Sequence, residues 1–154
     1  MPKTAASDAQ DRALTLDEQL CFAIYSAMHA LNKVYRELLQ ALELTYPQYL
    51  VMLTLWEADS LTVNEIGARL FLESSTLTPL LKRLEAAGLL TRTRAAEDER
   101  QVLVTLSAAG RRLRAKARDI PACMLQAMNQ HPAELRQLRE QIVQLRDSLL
   151  QHAA

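Results

Sequence analysis

The chain of 154 residues contains two cysteines, Cys21 and Cys123, and their thiols are its best candidates for chemistry. A thiolate can attack a peroxide to give a sulfenic acid, which a second thiol can resolve into a disulfide. A lone cysteine on an apolar stripe, however, is more often a small, inert, buried residue. On these two residues alone, both interpretations stay open.

Other kinds of catalytic chemistry find little support. His29, His131 and His152 have no metal-ligand spacing with each other or with the cysteines, so we expect no metal site. Three glycines leave little room for a phosphate-binding loop, and there is no Ser-His-Asp signature. We therefore predict that the protein binds no cofactor and is not an enzyme. A thiol peroxidase is the alternative from a different class, because it also needs a reactive cysteine.

The region from residue 62 to residue 106 has the pattern of a helix-turn-helix followed by a β-wing. Thr62 and Glu65 form a capping box at the start of the first helix. A polar turn at residues 73–75 leads into the second helix. Its apolar side chains fall on one stripe, formed by Leu77, Leu80, Leu81 and Leu84. Gly88 is placed to end this helix in a left-handed cap.

Two β-prone runs, residues 89–94 and 101–106, flank a charged loop and predict a hairpin. A helix with hydroxyls and cations on its free face suits the major groove of DNA, and an arginine on a protruding loop suits the minor groove. We expect the Asp98 carboxylate to aim the Arg100 guanidinium by a bidentate bond. The predicted DNA-binding residues are Ser75, Thr76, Thr78, Lys82, Arg83, Arg94, Asp98 and Arg100.

The charge distribution agrees with binding to double-stranded DNA. The formal net charge is zero, but residues 82–118 contain ten Lys or Arg against four Asp or Glu. Attraction to phosphate depends on this local field more than on the total. A charged face that is merely solvated is the plainer alternative, and the order helix, turn, helix, basic hairpin favours DNA.

A long helix precedes this region. Thr15, with Glu18 as its capping-box partner, should open it, and no Gly or Pro interrupts it before about Leu42. Cys21 would then lie more than one turn inside the helix, where the terminal dipole has mostly decayed. Its apolar neighbours would favour an organic hydroperoxide over hydrogen peroxide.

The remaining helices have clear boundaries. Thr45 and Gln48 form another capping box, with Pro47 in the first turn. Ser107 should cap a further helix, which Pro121 should kink or break. The last helix carries a narrow apolar seam: Leu135, Leu138, Ile142, Leu145 and Leu149.

These patterns predict a mainly α protein with a small β-wing. Residues 1–13 should form a flexible arm, residues 46–106 the winged helix-turn-helix, and residues 14–45 and 107–154 a helical dimerisation region. The apolar stripes of the first and last helices exceed what one compact core covers, so we expect a homodimer. No apolar run reaches the length of a membrane span, so we expect no membrane partner and a cytoplasmic location.

Three motifs resemble the MarR family of regulators, and within it the organic hydroperoxide-sensing repressors, called OhrR. They are Leu-Cys-Phe-Ala-Ile-Tyr at residues 20–25, Tyr-Pro-Gln-Tyr at residues 46–49, and Ser-Thr-Leu-Thr-Pro-Leu-Leu-Lys-Arg-Leu at residues 75–84. The general family pattern covers roughly residues 15–150.

The resemblance implies a homodimer that binds an inverted-repeat operator and releases it when an organic hydroperoxide oxidises Cys21. It also implies that Tyr35 and Tyr46 donate hydrogen bonds to the sulfur, and that Cys123 resolves the sulfenic acid. Tyr35 lies fourteen residues along the same helix, about 21 Å from Cys21. An antiparallel second subunit would bring the two together. A sister repressor gated by a small aromatic ligand remains the nearer alternative.

Overall fold

The computed structural model describes residues 12–153. Its helices are α1 (Leu20–Leu38), α2 (Tyr46–Glu57), α3 (Val63–Leu70), α4 (Ser74–Ala86), α5 (Ala108–Lys116), α6 (Ile120–Met128) and α7 (Pro132–Ala153). The strands are β1 (Leu61–Thr62), β2 (Leu90–Arg94) and β3 (Val102–Leu106). The predicted mainly α fold with a small β-wing is confirmed. The predicted arm at residues 1–13 lies outside the described residues except for its last two.

The first helix is shorter than predicted. Residues 16–18 form a 3₁₀ turn, and α1 begins only at Leu20, after Gln19 in extended conformation. The Thr15 hydroxyl donates to the Arg12 carbonyl (2.7 Å) and caps no helix, so the predicted Thr15–Glu18 capping box is wrong. The Gln19 side-chain amide donates to the Ala13 and Thr15 carbonyls, so it bonds to the segment before α1 and does not cap the helix. At the other end, α1 stops at Leu38 rather than at about Leu42.

Both central capping boxes are confirmed. The Thr45 N–H donates to Gln48 Oε1 (2.9 Å), and the Gln48 N–H donates to Thr45 Oγ1 (3.4 Å). Thr62 and Glu65 make the same reciprocal pair at the start of α3. These bonds satisfy N–H groups that have no acceptor inside the helix, so the start of each helix is defined locally.

The ends of the later elements also follow the sequence. Gly88 has a φ of +75° and terminates α4, as predicted. The Ser107 hydroxyl accepts the Gly110 N–H (3.0 Å) at the start of α5. The helix breaks after Lys116, and Pro121 lies in the first turn of α6, where its missing N–H leaves no bond unmade.

The wing is a three-stranded antiparallel sheet in the order β1-β3-β2. The predicted hairpin pairs Leu90 with Leu106 and Arg94 with Val102. The two-residue strand β1 was not predicted, because two residues carry no readable period. It pairs Leu61 with Val104 and so attaches the sheet to the helix-turn-helix.

The described chain divides after Arg114 into two compact units. The core of the first is formed by side chains that are essentially inaccessible to solvent: Leu39, Val51, Met52, Leu55, Ile66, Leu77, Leu81, Leu84, Leu90 and Val104. Trp56 Nε1–H donates to the Gly110 carbonyl (2.9 Å), which joins α2 to the start of α5. In the second unit Ala117, Ile120 and Met124 are buried.

Candidate redox site and nucleic-acid interface

Cys21 lies at the start of a helix, which corrects the sequence-based placement. With Gln19 as the N-cap, Cys21 is the second residue of α1 and is exposed. The first turn has N–H groups without intrahelical acceptors and contains no acidic residue. This end of a helix carries the positive pole of its dipole, where an anion is favoured. The thiol is therefore accessible and faces a better environment for an anion than a helix interior provides.

Two of the predicted phenols lie together at the other end of α1. The Tyr35 ring stacks on the ring of Tyr46, the first residue of α2, with centroids 4.2 Å apart and planes 24° apart. The Tyr49 ring lies 6.0 Å from Tyr35. Burial, followed by the neighbouring phenols Tyr46 and Tyr49, raises the pKa of Tyr35 to about 12. Burial also raises the pKa of Tyr46, so both phenols stay protonated and able to donate hydrogen bonds near neutral pH.

The structure does not bring Cys21 to these phenols within one chain. Cys21 and Tyr35 lie on the same unbroken helix, so their backbones are about 21 Å apart at helical rise. Cys123 is a half-buried free thiol on α6, in the second unit. The pairing of the two cysteines remains a prediction.

Sequence reasoning missed two residues that follow Cys21 on α1. Tyr25 and His29 come one and two turns after it, and their rings are in edge contact with centroids 4.4 Å apart. Tyr25 is exposed. The signal that could have found them is the i, i+4, i+8 spacing from Cys21, which aligns all three side chains along one face.

The recognition helix α4 separates its apolar and polar faces as predicted. Leu77, Leu81 and Leu84 are buried, and Leu80 is half-buried. On the opposite side four of the predicted DNA-binding residues are exposed and Thr78 is half-buried. The exposed four are Ser75, Thr76, Lys82 and Arg83. The helix begins at Ser74, slightly earlier than expected, with Glu73 as its N-cap.

The wing loop differs from the prediction in one contact. Asp98 Oδ1 accepts the backbone N–H of Arg100 (3.0 Å), and no ion pair joins these two side chains in the described chain. The expected bidentate bond from Asp98 to the Arg100 guanidinium is therefore wrong. Two residues of spacing let the carboxylate close a tight turn on the backbone, which is the local bond an aspartate makes most readily. Arg94 and Arg100 are both exposed.

A groove of about 230 Å³ lies between the recognition helix and the wing. It brings together Thr78 and Arg100, which the sequence predicted as major- and minor-groove residues. Its other polar lining residues were missed: Thr62, Asn64, Ser74, Arg92 and Gln101. Sequence spacing does not group these residues, because they come from β1, α3, α4, β2 and the wing loop.

The described part of the chain offers neither a clustered metal site nor a membrane-spanning helix. No group of three or more His, Cys, Asp or Glu side chains within residues 12–153 could hold a metal ion. None of the helices in that range is long and apolar enough to cross a membrane.

Comparison with known proteins finds clear relatives. Residues 33–116 match the family model described as transcriptional regulator SarA/Rot. The regulator TtmR of Methylorubrum extorquens is 49% identical, over 97% of this chain and 74% of the relative. The organic hydroperoxide resistance transcriptional regulator of Bacillus subtilis is 46% identical, over 90% of this chain and 94% of the relative.

A solved relative supplies the fold. Reduced AbfR bound to DNA matches with a TM-score of 0.77 and 34% identity, covering 92% of this chain and 99% of AbfR. AbfR, from Staphylococcus epidermidis, has also been solved in an overoxidized form bound to DNA and in a disulfide form.

Proposed function

Because this chain belongs to the SarA/Rot and MarR-like family of winged-helix transcriptional regulators, we propose that it is a repressor that senses organic hydroperoxides. In this proposal the reduced homodimer binds an inverted-repeat DNA operator and releases it when Cys21 is oxidised. The relatives support the inducer, since one is named for organic hydroperoxide resistance and another is known in several oxidation states.

The observation that carries the proposal is the layout of α1. An exposed thiol lies in the first turn, and a pair of half-buried, protonated phenols lies at the opposite end. In a two-fold dimer with antiparallel α1 helices, the Tyr35–Tyr46 pair of one protomer falls beside Cys21 of the other. Phenol hydrogen bonds would then stabilise the thiolate.

The chemistry requires only the peroxide. The Cys21 thiolate attacks one peroxide oxygen, an S–O bond forms as the O–O bond breaks, and the rest of the peroxide takes a proton and leaves as an alcohol. Sulfur is oxidised to the sulfenic acid and the peroxide is reduced. The Cys123 thiolate of the second protomer then attacks that sulfur, forming an S–S bond and releasing hydroxide, which is protonated to water.

DNA release follows from symmetry. Two recognition helices must meet half-sites roughly 34–36 Å apart, so even a modest rigid-body rotation spoils their fit. A disulfide requires Cα atoms within about 7 Å of each other, and closing such a link between protomers produces that rotation.

The test begins with operator selection. The reduced wild-type protein selects duplexes from a random library, and binding of the selected duplex is followed by fluorescence anisotropy before and after addition of tert-butyl hydroperoxide. We expect tight binding that the hydroperoxide abolishes and a thiol reductant restores. Cys21→Ser should bind DNA and ignore the oxidant. Release by Cys21→Ser on addition of hydroperoxide would refute the sensor role.

Cys123→Ser provides the matched control. It should still form the sulfenic acid, but excess oxidant should drive it irreversibly to higher oxides. Non-reducing electrophoresis should show a dimer-sized band for the oxidised wild type, absent in both cysteine variants. A band that persists in Cys123→Ser would identify a Cys21–Cys21 link. Release of DNA on addition of an aromatic acid alone would instead support a ligand-gated repressor. Turnover of peroxide without DNA binding would support a thiol peroxidase.

A further inference from the structure

The base of the wing is held by two carboxylates that belong to other elements. The first is Glu85, near the end of the recognition helix α4. Its Oε1 accepts the backbone N–H of Arg92 (2.9 Å), and its Oε2 accepts Arg92 Nε–H (3.0 Å) and Nη2–H (2.8 Å). Three hydrogen bonds therefore join the recognition helix to a single residue of β2.

The second carboxylate is Asp59, in the turn between α2 and β1. Its Oδ1 accepts the N–H groups of Ser60 and Leu106, both at 2.8 Å, and its Oδ2 accepts Arg111 Nη2–H (3.1 Å). Ser60 has a φ of +61°, a backbone conformation that a non-glycine residue adopts only when its surroundings hold it there. Asp59 thus joins the turn to the end of β3 and to α5.

These carboxylates accept hydrogen bonds from opposite strands at the same end of the hairpin. Leu90 pairs with Leu106 and Arg92 with Val104, so both contacts lie near the base. The loop at the tip is closed by local bonds, such as Ala95 N–H to the Gln101 carbonyl (2.9 Å). Glu97 lies at most about 16 Å beyond Arg92, so a rotation of about 10° at the base would move it by about 3 Å. That displacement equals the length of a hydrogen bond.

Electrostatics makes these positions unexpected for a DNA-binding surface. A carboxylate near phosphate is repulsive, so the simplest argument says that neutralising Glu85 or Asp59 should tighten DNA binding. The contacts also leave Arg92 fewer donors for phosphate, because its Nε and Nη2 already donate to Glu85. The two carboxylates and Arg92 therefore hold the wing in position and do not add to the attraction for phosphate.

Both carboxylates stay ionised near neutral pH. The Arg92 side chain, and then its backbone N–H, lower the pKa of Glu85. Burial alone raises the pKa of Asp59, but the N–H groups of Leu106 and Ser60 and the Arg111 guanidinium together lower it below its usual value.

We propose that Glu85 and Asp59 are positioning residues that set the angle of the wing against the recognition helix, so that Arg100 and the helix reach adjacent grooves together. This inference rests on the proposed DNA binding. It differs from a contact role, in which the carboxylate itself would bond to DNA, and it predicts that removing negative charge weakens DNA binding.

The test is a double-mutant cycle between Glu85→Gln and Arg100→Ala, measured on the duplex selected by the wild type. We expect Arg100→Ala alone to weaken binding roughly tenfold and Glu85→Gln alone to weaken it by a similar factor. In the Glu85→Gln background, Arg100→Ala should cost less than about threefold, because the wing is already displaced. The slope of log affinity against log salt should fall by about one in Glu85→Gln.

Two further variants separate positioning from charge and from folding. Glu97→Gln removes the same charge from the exposed wing loop and should leave binding unchanged or tighter. Asp59→Asn acts on the other strand and should reproduce the Glu85→Gln pattern. Thermal unfolding of each variant checks that the fold is kept, and a loss of stability alone would not alter the cycle.

The outcomes separate this inference from the proposed function. Additive losses with an unchanged salt slope, or tighter binding by Glu85→Gln, would overturn the positioning role while DNA binding stands. Failure of the reduced wild type to select any duplex would overturn the proposed function and this inference with it.

Discussion

At the scale of single residues, the stacked phenols Tyr35 and Tyr46 are the groups that would stabilise the Cys21 thiolate in the proposed dimer. A cation would then not be needed. The two phenol rings are stacked and half-buried, and this burial is the main cause that raises the pKa of each phenol above its ordinary value. A protonated phenol can only donate to a sulfur anion, whereas a phenolate would repel it. In the proposed dimer the pair would donate to the Cys21 thiolate at neutral pH.

The pKa of Tyr35 leads to a prediction about alkaline stability. Folding raises it from 10.0 to about 12, so the neutral phenol stabilises the folded state fully below about pH 10, and this contribution is lost as the pH rises through about 12. We expect Tyr35→Phe to remove the highest step in a titration of tyrosinate absorbance and to flatten the fall of unfolding free energy between these values. Tyr25→Phe, at an exposed site, is the control. If the unfolding free energy of Tyr35→Phe fell with pH as steeply as that of the wild type, the raised pKa assigned to Tyr35 would be contradicted.

The wing arginine gives a second prediction. Arg100→Ala should weaken operator binding by on the order of 1–3 kcal/mol, because a minor-groove contact is lost. Substitutions at Thr78 or Ser75 should change sequence preference more than salt dependence, since these side chains would read bases or fix register. Anisotropy titrations on selected and scrambled duplexes distinguish the two effects. Arg136→Ala, on the exposed surface of α7, is the matched control, and wild-type binding by Arg100→Ala would exclude wing engagement.

At the scale of elements, α5 is seated against the wing through a glycine. A Cβ at Gly110 would lie 2.0 Å from the Leu89 carbonyl oxygen and 3.2 Å from Leu106 Cδ2. A backbone oxygen cannot rotate away, so any side chain here forces α5 from the sheet. The same residue accepts the Trp56 indole N–H, so α2 depends on this approach as well.

Replacement of the two glycines should therefore have unequal effects. Gly110→Ala should lower the free energy of unfolding by about 3 kcal/mol or more, because overpacking against backbone cannot relax. At Gly88 an added Cβ meets nothing within 4 Å, so Gly88→Ala should cost only about 1–2 kcal/mol of left-handed backbone strain. Urea unfolding at one protein concentration measures both. A larger loss for Gly88→Ala would contradict the packing described for α5.

At the scale of the whole molecule, the two longest helices present apolar surface without a buried residue. On α1, Leu20 is 62% exposed and Met28 is 41% exposed. On α7, Ile142 is 44% exposed and Leu149 is 59% exposed. Contiguous apolar faces of this kind mark surfaces that meet another protein. They agree with the proposed homodimer, in which each unit contributes a helix that the single chain leaves uncovered.

The proposed dimer can be tested on the α7 seam. Ile142→Glu combined with Leu138→Glu should give a monomer in sedimentation velocity at micromolar concentration, since two charges cannot be buried across an interface without partners. Operator affinity should fall with it, because a monomer reaches only one half-site. Gln141→Glu and Gln144→Glu together are the control for added charge. A wild type that sediments as a monomer would remove the basis for the cross-protomer sensor.

Features that depend on near neighbours in the chain could be predicted from the spacing of residues. The capping boxes at Thr45 and Thr62, the left-handed end at Gly88 and the leucine stripe of α4 each involve residues no more than a few positions apart. Their hydrogen bonds and packing faces form within the element itself, so spacing alone predicts them.

Features that depend on partners far away in the chain could not be predicted from spacing. Asp59 meets Leu106 and Arg111 across some fifty residues, and β1 exists only because β3 lies beside it. The helix α1 starts at Leu20, after an extended Gln19 whose side-chain amide donates to carbonyls upstream, and this start puts Cys21 in the first turn. A polar side chain can bond to several backbone groups near it, and which bond forms depends on how the whole chain packs. The spacing of residues alone does not determine it.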